Sequence, residues 1–207
     1  MVDVAAMQAQ QRRVLRIVLA INLMTFVMML AAAWLSGSSS VLSGGLDNLG
    51  DALTYALSLA VVGASARAKA RVSLFKGLLI FAAAIAVGVQ IFWRLGNPAV
   101  PLFEGMGVAA VLNLGANYVC LRLLTPYRQG DVNLASAWEC ARNDIFEGFA
   151  LIGATALVWL FGAGWPDLLI AFGLLLLFVG SAWRVLGACC RELRVAARAE
   201  GSTSTAS

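Results

Sequence analysis

Residues 43–53 read Ser43-Gly44-Gly45-Leu46-Asp47-Asn48-Leu49-Gly50-Asp51-Ala52-Leu53, two carboxylates four residues apart among small and apolar side chains. That spacing puts Asp47 and Asp51 on one face of a helix. Further along, Cys140 and Asp144 repeat it within a second apolar run. An acid near the centre of a bilayer costs about 2.5 kcal/mol or more, so such residues face a pathway or a partner rather than lipid. If the two faces meet, three carboxylates and one thiolate converge, a donor set that suits a tetrahedral divalent cation.

Composition supplies the bilayer. Of 207 residues, 61% are hydrophobic and 13% charged, against about 25% charged in soluble domains. Apolar runs of about 20 residues span a membrane, and six are expected, over about 14–36, 40–64, 74–95, 106–125, 134–162 and 166–189. The expected fold is an all-α integral membrane bundle of six transmembrane helices. Residues 1–13 read as a cytoplasmic N-terminal segment, 14–190 as the transmembrane domain and 191–207 as a short disordered cytoplasmic tail. Arg12, Arg13 and Arg16 precede the first run, which is too long for a signal-peptide core of about 7–15 residues and therefore stays as a helix.

Charge sets the orientation. Of the 15 basic residues, all but Arg94 and Arg142 fall on one side of a six-span arrangement, which places both termini in the cytoplasm by the positive-inside rule. The basic balance is explained by these flanks, so no nucleic-acid binding is inferred. No nucleophile, base and oxyanion arrangement is visible, and no enzymatic activity is expected.

The turns are short. Gly37-Ser38-Ser39-Ser40 suits a tight reversal before a helix, and Gly96-Asn97-Pro98 and Gly162-Ala163-Gly164-Trp165-Pro166 break the third and fifth helices on the same side. With a helix beginning near Ser40, Asp51 lies about 16 Å in and Asp47 about 10 Å in, at 1.5 Å per residue. With another rising from Leu134, Cys140 and Asp144 lie about 9 and 15 Å up, so all four approach the middle of a core of about 30 Å.

These residues resemble a known family, the cation diffusion facilitators. The 43–53 stretch resembles the family's second helix with its Asp-x-x-x-Asp pair at Asp47 and Asp51. Cys140-Ala141-Arg142-Asn143-Asp144 resembles the fifth-helix pair, with Cys140 where a histidine usually stands. Gly164-Trp165-Pro166-Asp167 resembles the start of the sixth helix, and Asn22 a polar position in the first. The resemblance implies a six-helix metal/proton antiporter that exports cations from the cytoplasm, a homodimer, and residence in a bacterial inner membrane. It departs from the family at Met29, where many members carry a glutamate, and at residues 65–76, which hold neither His nor Asp. The chain reads as a short form without the family's cytoplasmic domain.

The expected metal ligands are Asp47, Asp51, Cys140 and Asp144, with Glu147, Asn22, Asn48 and Asn143 as second-shell or proton-coupling groups; taken singly, Asn22, Asn48, Asn113, Asn117 and Gln90 are more readily read as interhelical hydrogen bonds. Glu147 follows Asp144 by three residues and is a candidate replacement for the acid missing at Met29; otherwise it pairs with a neighbouring helix. Glu139 and Arg142 are a candidate structural ion pair. Cys120, Cys189 and Cys190 read as packing or interface residues. Three oxygens and a thiolate suit zinc, and sulfur in place of imidazole favours cadmium, while other divalent transition metals stay open; no prosthetic group is expected. Four ionised ligands would put four negative charges in the bilayer, so metal uptake is expected to release protons. A small-molecule/proton antiporter and a non-transporting membrane metal sensor or scaffold are the alternatives.

Overall fold

The structure, a computed structural model, describes residues 4–60, 66–129, 132–177, 179, 180 and 183. Six α-helices are described: α1 (Val4–Ser36), α2 (Ser39–Ala60), α3 (Ala66–Gly96), α4 (Phe103–Leu124), α5 (Val132–Phe161) and α6 (Trp165–Leu177). A single 3-10 turn, Thr125–Tyr127, follows α4. Among the described residues there is no strand.

Four helices, α1, α3, α4 and α5, are long and apolar enough to cross a membrane. In α2, Gly44, Gly45, Asp47, Asn48 and Asp51 interrupt the apolar run. The described part of α6 is short, and residues 184–207, with Cys189, Cys190 and the expected tail, lie outside the described residues. The first helix reaches beyond its expected span of 14–36, starting at Val4. Hydropathy misses this because the added turns are polar, with Gln8, Gln10 and Gln11, and a helix continues through polar residues that form helices well.

Three turns gather at one end of the bundle, here the short-turn end. Gly37, at φ 69°, takes the left-handed conformation that a helix end favours, and its amide donates to Ala33 O at 2.9 Å. Gly162, at φ 58°, repeats this with Val158 O. The Leu102 amide donates to Ser36 O at 3.0 Å, tying the α3–α4 loop to the end of α1. Gly164 meets the carbonyl of Ala99 so closely that no side chain fits between the two loops.

α2 packs against α1, α3 and α5, and α4 packs against α1 and α5. The interior is layered. Towards the short-turn end lies an apolar cluster with Met29, Val41, Met106, Leu151 and Val158. Towards the other end lies a second, with Val18, Tyr55, Leu124, Leu134 and Ala141. Between the two, in each of the four helices concerned, the buried residues turn polar: Asn22 and Thr25 in α1, Asn48 and Asp51 in α2, Asn113 and Asn117 in α4, Asp144 in α5. The outer surface of the bundle is apolar, with Val27, Phe92, Val111 and Phe149 exposed, as lipid-facing helices require.

Candidate metal-transfer site

The polar layer is built by close backbone approach. A Cβ on Gly45 would lie 3.0 Å from Met29 Cβ, and one on Gly44 would lie 2.9 Å from Leu151 Cδ1. Two glycines thus let α2 settle against α1 and α5 at the level where its acids begin, the way small residues tighten membrane helix interfaces.

Asp47 and Asp51 of α2 and Cys140 and Asp144 of α5 all border one cavity of about 520 Å³, closed on a third side by Leu174 and Leu177 of α6. Asp51 and Asp144 are buried, Asp47 and Cys140 half-buried. Glu147 of α5 lines the same cavity, so four carboxyls and one thiol surround it. Acids gathered around one space can take up a proton or a cation there. Tyr55 donates its hydroxyl to Asp51 Oδ2 at 3.2 Å. Among the described residues no three acids or cysteines converge on one point as the ligands of a bound ion would. The arrangement is a wall of donors around a space, with the two pairs on different helices.

The remaining expected residues divide. Glu147 borders the cavity, and its Oε1 and Met29 Cε each lie 3.1 Å from where a Cβ on Gly44 would stand, so the glutamate of α5 fills space beside Met29. Oε1 is buried and meets no described donor. Asn143 lines the cavity but is exposed. Asn48 and Asn22 do not border it. One residue past Asp47 the helix has turned by about 100°, and Asn48 donates to Asn113 Oδ1 of α4 at 2.9 Å instead. Asn22 donates to Val18 O at 2.9 Å and towards Cys120 Sγ at 3.7 Å, joining α1 to α4. These two asparagines hold helices together.

The Glu139–Arg142 pair is corrected as well. Among the described residues it does not form; the Arg142 guanidinium stands 5.3 Å over the Trp138 ring, a cation–π contact one helical turn away. Cys120 is buried in the lower apolar cluster, as a packing residue would be.

Sequence reasoning passed over Asp167, which caps α2 from α6. Ser39 N donates to its Oδ2 at 2.8 Å, and Ser40 N, Ser40 Oγ and Ser38 Oγ donate to its Oδ1 at 3.0, 2.6 and 2.6 Å. The row of three serines beginning at Ser38 and the place of Asp167 in the Gly164–Asp167 motif were its sequence signals.

A family model described as the cation efflux transmembrane domain matches residues 15–193. The chain belongs to the cation efflux family. Its curated relatives include the metal cation efflux system protein CzcD of Cupriavidus metallidurans and the cation efflux system protein CzcD of an Alcaligenes strain, each 24% identical over 186 residues. The match covers 84% of this chain and 59% of each relative. The chain therefore spans under two thirds of the length of these efflux proteins. With four membrane-crossing helices and this family assignment, it is a multi-pass protein of the bacterial cell membrane.

Proposed function

We propose that this protein is a metal cation transporter that carries zinc or cadmium out of the cytoplasm in exchange for protons. The observation that carries the reading is that two i, i+4 donor pairs, Asp47/Asp51 on α2 and Cys140/Asp144 on α5, border one cavity within the polar layer between two apolar clusters. The four side chains act as the ligands of the passing ion, near the bilayer midplane. The relatives' names, which speak of metal cation efflux, support the cargo class and the direction.

In this reading the chain crosses the membrane six times, with both termini in the cytoplasm and the short-turn end outward. An ion enters the cavity and displaces the protons that the facing carboxyls hold between them, which couples metal binding to proton release. Relative movement of the bundle then exposes the ion to the other side. Glu147 serves as a further proton-handling acid in the space beside Met29. Assembly is a homodimer, read from the family, and crosslinking in intact membranes that yields only monomers would remove it.

The test is uptake of zinc and cadmium into sealed vesicles carrying the purified protein, with internal pH followed at the same time. Metal flux with opposite proton movement is expected. Stoichiometric binding without flux would replace the transporter by a membrane metal sensor.

A further inference from the structure

Arg94, in the last turn of α3, is 7% exposed although it stands at the short-turn end of the bundle. Its guanidinium lies over Gly37, where an added Cβ would come within 2.7 Å of Nη2. It lines a second cavity, of about 430 Å³, walled by Pro98, Val100, Gly164 and Trp165. Asp167 borders the same cavity, but its two oxygens already accept the four hydrogen bonds from Ser38, Ser39 and Ser40. Among the described residues no carboxylate forms an ion pair with Arg94. A buried charge without a counter-charge is costly, and guanidinium offers a planar fork of donors that matches phosphate oxygens.

A separate observation fixes the depth of this cavity. Trp34, Trp93, Trp159 and Trp165 are all exposed, at the ends of α1, α3 and α5 and the start of α6. Tryptophan collects at the level of lipid headgroups, so the ring of four marks that level and Arg94 lies within it. Leu95, Leu102 and Phe161 are exposed near this end and add apolar surface beside it.

We propose that the Arg94 cavity binds a phosphate group, presented by the headgroup of a membrane lipid. The guanidinium binds the phosphate oxygens, and Trp165 flanks the headgroup. The inference is independent of metal transport, because it uses only the packing at the short-turn end.

The experiment follows the thermal unfolding midpoint of the full chain in detergent during separate titrations with phosphatidylglycerol, with diacylglycerol of the same chains, and with inorganic phosphate. A saturable rise with phosphatidylglycerol and none with diacylglycerol is expected. Arg94→Lys should retain part of the rise, and Arg94→Gln should raise the half-saturating concentration roughly tenfold or more. Val100→Trp, at an exposed position on the rim, narrows the cavity without touching the guanidinium and should cause a comparable loss, which keeps the test open should Arg94→Gln fail to fold. An undiminished rise in Arg94→Gln or in Val100→Trp overturns the site. An equal rise with inorganic phosphate at the same concentration overturns the lipid as its source.

Discussion

Asp167 Oδ1 accepts both the amide and the hydroxyl of Ser40, at 3.0 and 2.6 Å, across 127 residues of chain. A carboxylate from α6 thereby caps the first turn of α2, where backbone amides have no partner within the helix. Asp167→Ala leaves those buried donors unmet and should cost about 2 kcal/mol or more of stability. Asp167→Asn, which keeps one oxygen acceptor, should cost less. Denaturation midpoints in detergent check both, and an unchanged midpoint in the alanine variant would show that water replaces the cap.

Asp51→Ala or Asp144→Ala should abolish metal flux while insertion and folding persist, because each removes a buried acid from the wall of the 520 Å³ cavity. Vesicle uptake and size-exclusion profiles are the paired measurements. Near-parental zinc flux in either variant takes that residue out of the pathway.

Cys140→Ser exchanges a soft donor for a hard one at the same place. Cadmium affinity should fall by a larger factor than zinc affinity, since the preference for thiolate is greater for the softer ion. Isothermal titration with both ions reads the difference, and equal losses would mean that the sulfur does not touch the metal.

Glu147→Gln keeps the size of the side chain and its position beside Met29, yet removes an acid that faces Asp47. The number of protons moved per metal ion should drop while metal affinity changes little. Simultaneous flux and pH recordings decide; an unaltered ratio makes Glu147 structural.

Gly44→Ala introduces a methyl group 2.9 Å from Leu151 Cδ1 and 3.1 Å from both Glu147 Oε1 and Met29 Cε. Three neighbours from two helices must shift, at a cost of about 1–3 kcal/mol. The expected readout is a lowered unfolding midpoint together with reduced flux. Retention of both would show that α2 relaxes away from α5 without consequence.

The donor pairs were legible in the sequence because a helix turns a four-residue spacing into a shared face, so Asp47/Asp51 and Cys140/Asp144 needed no tertiary information. Their convergence was an extrapolation from depth; the four line one cavity where Gly44 brings α2 close to α5, but no three of the described acids and cysteines gather on one point. Asn22 and Asn48 make the interhelical hydrogen bonds expected of such polar residues in membrane helices, although the partner helix was not legible. Sequence depth is the same for all residues at one level, whereas the direction a side chain faces depends on which neighbour packs there, and α4 took both. Arg142 stands over Trp138, four residues before it, and forms no ion pair with Glu139 among the described residues. Asp167 was invisible as a cap because its partners lie at the far end of the chain and only the packing of α6 on α2 brings them together.

The clasp between Asp167 and the serines also limits how α6 can move. With its first turn fastened to α2, any tilt of α6 against α2 pivots at that end. Leu177, ten residues on, lies about 15 Å from the fulcrum at 1.5 Å per residue, so a swing of about 10° displaces it by roughly 2.6 Å. Asp51 and Asp144 share their cavity with Leu177, and a small rotation of α6 there changes its width by about the diameter of a water molecule.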